Sequence, residues 1–137
     1  MMPGATNMGS GQCLGMPDTL YDLSIFSSTG VTVPVPGPNT AMHTPGQPTA
    51  MTVMAGTGQA LTISTIISTT ISPGVSTLTG LVSQVVSMNH AFCQSSTRLM
   101  LKGQPAVYSP CMCTQNMANC SSGAQAVPSQ VKVLFPM

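Results

Sequence analysis

Positions 23–97 contain no Asp, Glu, Lys or Arg, an uncharged run of 75 residues bounded by Asp22 and Arg98. Asp18, Lys102 and Lys132 are the only other charged side chains in the 137-residue chain. An ordinary globular domain is about a quarter charged. Charge is also what keeps a free monomer soluble and unassociated. A surface this poor in it is built to be covered by a partner, or to enter surroundings that disfavour charge. The same shortage excludes partners. Nucleic-acid binding relies on Lys and Arg neutralising phosphates, and three basic residues spread along the chain do not supply that. An acidic substrate is no better served.

The length fits one domain. Its core cannot be conventional, because the chain has no Trp, two Tyr and three Phe against 13 Gly and 12 Pro. Such a composition often marks disorder. Here the net charge is only +1 and β-branched residues are frequent, among them Val31, Val33, Val35, Ile63, Ile66, Ile67, Ile71, Val82, Val85 and Val86. The expected product is an ordered, turn-rich, mainly β domain with weak self-stabilisation. Residues 60–86 are uncharged and long enough to span a bilayer, but Ser, Thr, Gly and Pro interrupt them throughout. A spanning helix wants about 20 predominantly apolar residues, so no span is assigned.

Residues 1–30 read as an extended, glycine-punctuated lead, and 31–137 as the domain proper, the whole forming a single domain. Val31, Val33 and Val35 alternate with Thr32 and Pro34. That period of two predicts a strand confined to a sheet edge, since Pro lacks the ladder N–H. Gly46-Gln47-Pro48 recurs as Gly103-Gln104-Pro105, each copy preceding a strand-like run. Val75, Leu78, Leu81, Val82 and Val85 follow a helical spacing, which predicts one short helix near 75–87. Phe92–Leu101 and Pro105–Met112 flank a turn at 102–105. A short hairpin loop there pairs residues whose numbers sum to about 205–207.

That hairpin bears on the second informative feature. His90, Cys93, Cys111, Cys113 and Cys120 fall within positions 90–120 of a chain with two His and five Cys. The register places Cys93 opposite the neighbourhood of Met112 and Cys113, with His90 and Cys120 at the flanks. Thiolates and imidazoles are the usual ligands of a four-coordinate structural zinc, so these five residues are the candidate metal ligands. Inert packing of buried thiols and disulfide or redox use are the alternatives, and an odd count leaves one Cys unpaired in any intrachain scheme. No basic leader or apolar run opens the chain, so it is expected to be made in the cytoplasm, where thiols stay reduced. Cys13 is a second-rank ligand. His43, beside the Pro45-Gly46 turn, reads as a surface or turn residue. Enzymatic readings are poor: there is no Glu, both Asp lie within 18–22, and no phosphate-cradling loop follows Gly56-Thr57-Gly58. A Cys–His nucleophile drawn from His90 and Cys93 lacks an orienting third group. The chain is not expected to be an enzyme.

The segment Val33-Pro34-Val35-Pro36-Gly37-Pro38-Asn39-Thr40-Ala41 resembles the signature of PAAR-like proteins, the tip proteins of type VI secretion and related contractile injection spikes. Met16-Pro17-Asp18 is similar to that family's Phe-Pro-Asp lead, and Leu101-Lys-Gly-Gln-Pro-Ala-Val107 to one of its strands. The Cys that the family carries soon after Pro-Asp is missing here, and residues 55–88 match poorly. The resemblance implies a small cone or wedge of β-hairpins with a metal near its apex. Such a cone seats as one copy on a homotrimeric VgrG-like spike, assists membrane puncture and effector delivery, and is exported by the injection machinery. Effectors or adaptor chaperones are further implied partners. Met137 follows soon after the last strand, so no fused effector is expected. The competing reading is a small exported Cys-rich metal-binding or redox protein.

Overall fold

The computed structural model describes residues 1–7, 11–23, 30–72 and 78–137. Within them the chain is mainly β, as the composition and turn pattern led one to expect. Eleven strands follow in order: β1 (Met2–Pro3), β2 (Gln12–Leu23), β3 (Thr32–Met42), β4 (Gln47–Ala55), β5 (Gly58–Ile67), β6 (His90–Phe92), β7 (Met100–Leu101), β8 (Gln104–Pro105), β9 (Met112–Gln115), β10 (Cys120–Val127) and β11 (Leu134–Phe135). Seven of them form one antiparallel sheet in the order β3-β2-β10-β9-β6-β5-β4, and β1-β11 and β7-β8 form two small ladders. The segment 1–30, read above as a lead, supplies β1 and, inside the seven-stranded sheet, the long strand β2.

Three segments that are remote in sequence meet at one point. The Ala5 N–H donates to Val107 O at 2.9 Å, the Val107 N–H to Leu61 O at 3.1 Å, and the Leu61 N–H to Ala5 O at 2.9 Å. The three bonds close a cycle. Antiparallel bridges flank it on each side, Gly4 with Tyr108, Thr6 with Ala60 and Thr62 with Ala106. All three ring residues are 0% exposed. Each segment therefore gives one N–H and one C=O to its two neighbours, an arrangement with threefold character made from one chain. The second Gly-Gln-Pro copy leads directly into this ring through Ala106. The first opens β4, whose Thr49 and Ala50 pair with Leu61 and Ala60 of β5.

The expected hairpin forms in the expected register. Met100 pairs with Pro105 and Leu101 with Gln104, and further down Ala91 pairs with Thr114 and Phe92 with Cys113. Every pair sums to 205. Lys102 and Gly103 hold φ of 51° and 79°, the two left-handed residues of a type I′ hairpin turn. The helix expected near 75–87 does not form. Residues 75–77 lie outside the described residues, and 78–87 make turns and bends. Their backbone groups bond to β2 instead: the Tyr21 N–H donates to Thr79 O and the Leu81 N–H to Thr19 O, both at 3.0 Å. Gln84 at φ 56° also breaks the helical path.

β3 is an edge strand, and its prolines protect it. Thr40 exchanges both backbone hydrogen bonds with Ile71 on the side away from β2. By the period of two, Pro34, Pro36 and Pro38 face that same side and offer no N–H there. An edge without donors is a poor template for a foreign strand.

The apolar core is thin. Of the twelve largest fully buried side chains described, Leu61, Ile67 and Val107 are apolar, and the rest are His, Gln, Asn, Thr and Asp. Ile71, Val82, Val131 and Met51 are at least 60% exposed, so the uncharged surface is also an apolar one. Among the described residues no helix is long and apolar enough to cross a membrane. The interior must therefore be held by satisfied polar groups, and Asp18 shows how.

A β-bulge puts Asp18 inside. Gly15 pairs with Asn39 and Asp18 with Gly37, so Met16 and Pro17 together oppose one residue of β3. The extra residue reverses which face the following side chains occupy. Asp18 is 1% exposed. Its carboxylate accepts from Asn39 Nδ2 at 2.6 Å, from Ser72 Oγ at 2.9 Å, from Asn116 Nδ2 at 3.2 and 3.3 Å, and from Asn119 Nδ2. Asn116, Met117 and Ala118 hold φ of 50°, 51° and 65°. A left-handed turn costs non-glycine residues roughly 1–2 kcal/mol each, and the two asparagines at its ends tie it to Asp18. We expect Asp18→Ala to lower unfolding free energy in urea by at least about 3 kcal/mol, since it strands several buried amides. Ala118→Gly should raise it by about 1 kcal/mol.

Candidate metal centre

β2 and β9 follow the ring segments 4–6 and 106–108 in the chain, and β6 pairs with β5, which carries the third segment; these three strands bring the soft ligands. β2 brings Cys13, β9 brings Cys113 and β6 brings His90. One ligand atom from each lies within 4.8 Å of those of the other two, and all three residues are buried. His43 follows β3 and is 0% exposed, with its Nε2 3.5 Å from Cys13 Sγ. A turn closed by the Gly46 N–H on His43 O (3.0 Å) and a bond from the His43 N–H to Gly11 O (2.9 Å) fix its backbone. Gly11 is required there, because a Cβ would sit 2.4 Å from His43 Nδ1. Both imidazoles pack edge-on against Phe92, with centroids at 5.7 and 4.7 Å.

The donor set fits a metal ion. His90 Nδ1, His90 Nε2 and His43 Nδ1 are buried without a hydrogen-bond partner. Leaving one buried nitrogen unsatisfied costs about 1–3 kcal/mol, and a metal removes that penalty for the nitrogen that ligates. Two thiolates and two neutral imidazoles also neutralise a divalent cation. With His43, whose Nε2 lies beside Cys13 Sγ, as a fourth donor to the three clustered ones, the ligand set would leave no open position, the signature of a structural rather than a catalytic site.

The protonation pattern agrees. The Cys113 thiol is pushed down to about 5, first by the hydrogen bond it accepts from Cys13, with His90 and Gln115 helping against burial. The Cys13 thiol is pushed up by its bond to Cys113 and by burial. Burial, then the neighbouring His90, lowers His43 to about 4. At neutral pH these groups by themselves thus hold one thiolate and a neutral His43, with the remaining thiol proton on Cys13.

The structure sorts the five candidate ligands. His90 and Cys113 join the cluster. Cys93, although placed opposite Met112 by the bond from its N–H to Met112 O at 2.9 Å, is exposed. One residue beyond Phe92, it faces outward on a period of two. Cys111 shares the inner face with Cys113 but turns to Gln125 Oε1 at 3.7 Å, and burial pushes its thiol up to about 12. Cys120 is buried beside Gly15, and burial raises its pKa too. His43 is not a surface residue, and Cys13 is in the first rank. A signal for His43 existed: the alternation of Val33 and Val35 continues through Gly37, Asn39 and Ala41 to His43, and these last four are all buried.

We expect Cys113→Ser and His43→Ala to retain less metal than the wild type by at least tenfold in chelator competition, and Cys93→Ser to retain it fully. Metal binding requires deprotonated ligands. The lowered values of Cys113 and His43 keep those groups competent down to about pH 5, and the raised Cys13 must release its proton. Calorimetry in buffers of different ionisation enthalpy at pH 7 should therefore find about one proton released per ion, and uptake should fail below about pH 5.

No curated protein and no solved structure matches the chain. A family model does, that of the toxin PAAR-like domain, over residues 19–122. The matched span takes in β3 with its Pro-Asn segment, the hairpin, His43 and two of the three clustered ligands, His90 and Cys113, and it covers well over half of the sequence. The chain belongs to the toxin PAAR-like domain family.

Proposed function

We propose that this chain is a non-enzymatic spike tip: one copy caps a homotrimeric β-helical spike of the VgrG type, in a type VI or related contractile injection system. The observation that carries the reading is the cyclic hydrogen-bonded ring of Ala5, Leu61 and Val107. A single chain that must sit on a threefold end needs three similar edges around one axis, and this ring supplies an axis of that kind. The three edges come from segments 4–6, 60–62 and 106–108. Val31, Val33 and Val35 stand outside the ring and take no part in it.

The metal in this reading is zinc, held by Cys13, His43, His90 and Cys113. When bound, it supplies four coordinate bonds to a molecule whose apolar core is thin. Structural zinc contributes apparent binding energies of about 10–16 kcal/mol in small domains, enough to stiffen a point that must bear load. The shortage of charge suits puncture, because one charge at mid-bilayer costs at least about 2.5–3.5 kcal/mol. The protein is made in the bacterial cytoplasm, seated on the spike and exported with it, carrying effectors or their adaptors. A free redox carrier would need an accessible thiol pair, whereas four of the five thiols are buried and only Cys93 is exposed.

Co-expression with a trimeric β-helical spike protein tests this. We expect mass photometry to find one copy per trimer, and cryo-electron microscopy to run the spike axis through Ala5, Leu61 and Val107. Three copies per trimer, or a chain that stays monodisperse alone and never binds the spike, would reject it.

A further inference from the structure

Each segment of the backbone ring is reached through a two-stranded arm. β8 leads to Val107 from its hairpin with β7, β5 carries Leu61 and pairs with β4, and β1 leads to Ala5 beside β11. The three arms share one register. Two residues before the ring residue, Pro3, Gln59 and Pro105 pair with Leu134, Met54 and Met100. Three residues before it, Met2, Gly58 and Gln104 pair with Phe135, Ala55 and Leu101. The bridges around the ring obey the same rule: the residue before each ring residue meets the residue after another one. Stretches remote in the chain thus repeat one geometry, and a pseudo-threefold axis through the ring relates the arms.

The side chains follow the axis. Successive residues of a strand point to opposite faces. Ala55, Leu101 and Phe135 point inward, where they are buried in one cluster with Ala60 and Ala106. The arms differ in size there and compensate: Gly4 stands where the other two arms have Ala60 and Ala106, and a Cβ on it would lie 2.5 Å from the Phe135 ring. Met54, Met100 and Leu134, the preceding residues, point outward and are 57%, 55% and 46% exposed. A single exposed apolar side chain is ordinary. Three of them, one per arm at the same level around one axis, form a repeated surface.

We propose that Met54, Met100 and Leu134 are the contact points for the spike, each meeting a different protomer of the trimer. The inference rests on the reading of the chain as a spike cap, and it fixes which end seats. β5 runs from the arm end at Gly58 through Leu61 to Ile67, which pairs with His90. The Cys/His cluster therefore lies on the far side of the ring from the arms and points away from the spike. A cyclic trimer offers three identical patches around its axis. Only a surface repeated three times around a coincident axis meets all three at once, and a partner without that symmetry would use one arm alone. Methionine is flexible and adaptable at contacts, which suits three unlike arms facing three identical protomers.

Two measurements test it, with a co-expressed trimeric β-helical spike protein as the partner. Met54→Glu, Met100→Glu and Leu134→Glu place a charge at each contact. We expect each to weaken spike binding at least about tenfold. Met112→Glu, on β9 and 51% exposed, should bind as the wild type does. Unchanged binding by any of the three arm variants, or an equal loss from Met112→Glu, overturns the proposal. The second measurement needs no variant. Peroxide converts exposed methionine to its sulfoxide, and mass spectrometry reads the rate at each position. In the wild-type complex the spike should protect Met54 and Met100 and leave Met112 at its free rate. Oxidation of Met54 and Met100 as fast in the complex as in the free chain overturns this surface alone, even if the variants fail to fold. A wild-type chain that never binds the spike overturns the capping reading and this one with it. Self-association in place of spike binding, seen by light scattering and lost in the same variants, makes a second copy the occupant and also overturns the proposal.

Discussion

Three backbone hydrogen bonds, among Ala5, Leu61 and Val107, tie together segments separated by more than 40 residues of chain. The rest of the architecture depends on them. The seven-stranded sheet has two free edges, β3 and β4, and nothing in a ladder alone would bring its walls together. The ring does so at one level. From there the walls run side by side, so that β2, β6 and β9 present Cys13, His90 and Cys113 to one another. Backbone bonds suit this task because Ala5, Leu61 and Val107 need only small or aliphatic side chains, and so the axis stays narrow.

A narrow interior has little room for apolar bulk. Fully burying one large aliphatic or aromatic side chain stabilises by about 1.5–3 kcal/mol, and here few are buried. Polar side chains replace them in layers. The Cys/His cluster is one layer, and the Gln115 amide with the Cys120 thiol is the next. Asp18 with its ring of asparagines is a third. Each polar layer is stable only if its members are satisfied, because low local dielectric makes an unpaired group expensive. The Asp18 carboxylate meets that condition with amide and hydroxyl donors alone, while the carboxamide oxygens of Asn39 and Asn116 beside it have no partner. The Cys/His layer, with orphan nitrogens on both imidazoles, does not meet it without an ion.

Glycine and proline, which read in the sequence as signs of disorder, have defined tasks in this fold. Gly11, Gly15 and Gly123 stand where a Cβ would collide with His43, Cys120 and Cys113. Pro34, Pro36 and Pro38 remove donors from the open side of β3. Gly103 turns the hairpin whose arms bring His90 toward Cys113. The same composition would leave a chain unfolded if these positions were scattered differently, because the thin core could not offset the lost conformational entropy.

The local signals of the chain determined the β class, the turn at 102–105, the register of 205 across the hairpin and the presence of a soft-ligand cluster containing His90 and Cys113. Each follows from interactions between near neighbours: alternation, turn residues, short spacings. Only the tertiary structure decided which thiols meet. Cys93 has the right register and the wrong face, since one residue along a strand reverses the direction of a side chain. Asp18 and Cys120 reach the interior through β-bulges in β2 and β10, which shift the alternation by one residue without any motif to announce it. Cys13 and His43 join from strands whose pairing closes over long loops. The helix-like stripe at 78–85 lost to backbone bonds with β2, because its N–H and C=O groups found partners in a strand that no periodicity within the stripe could reveal.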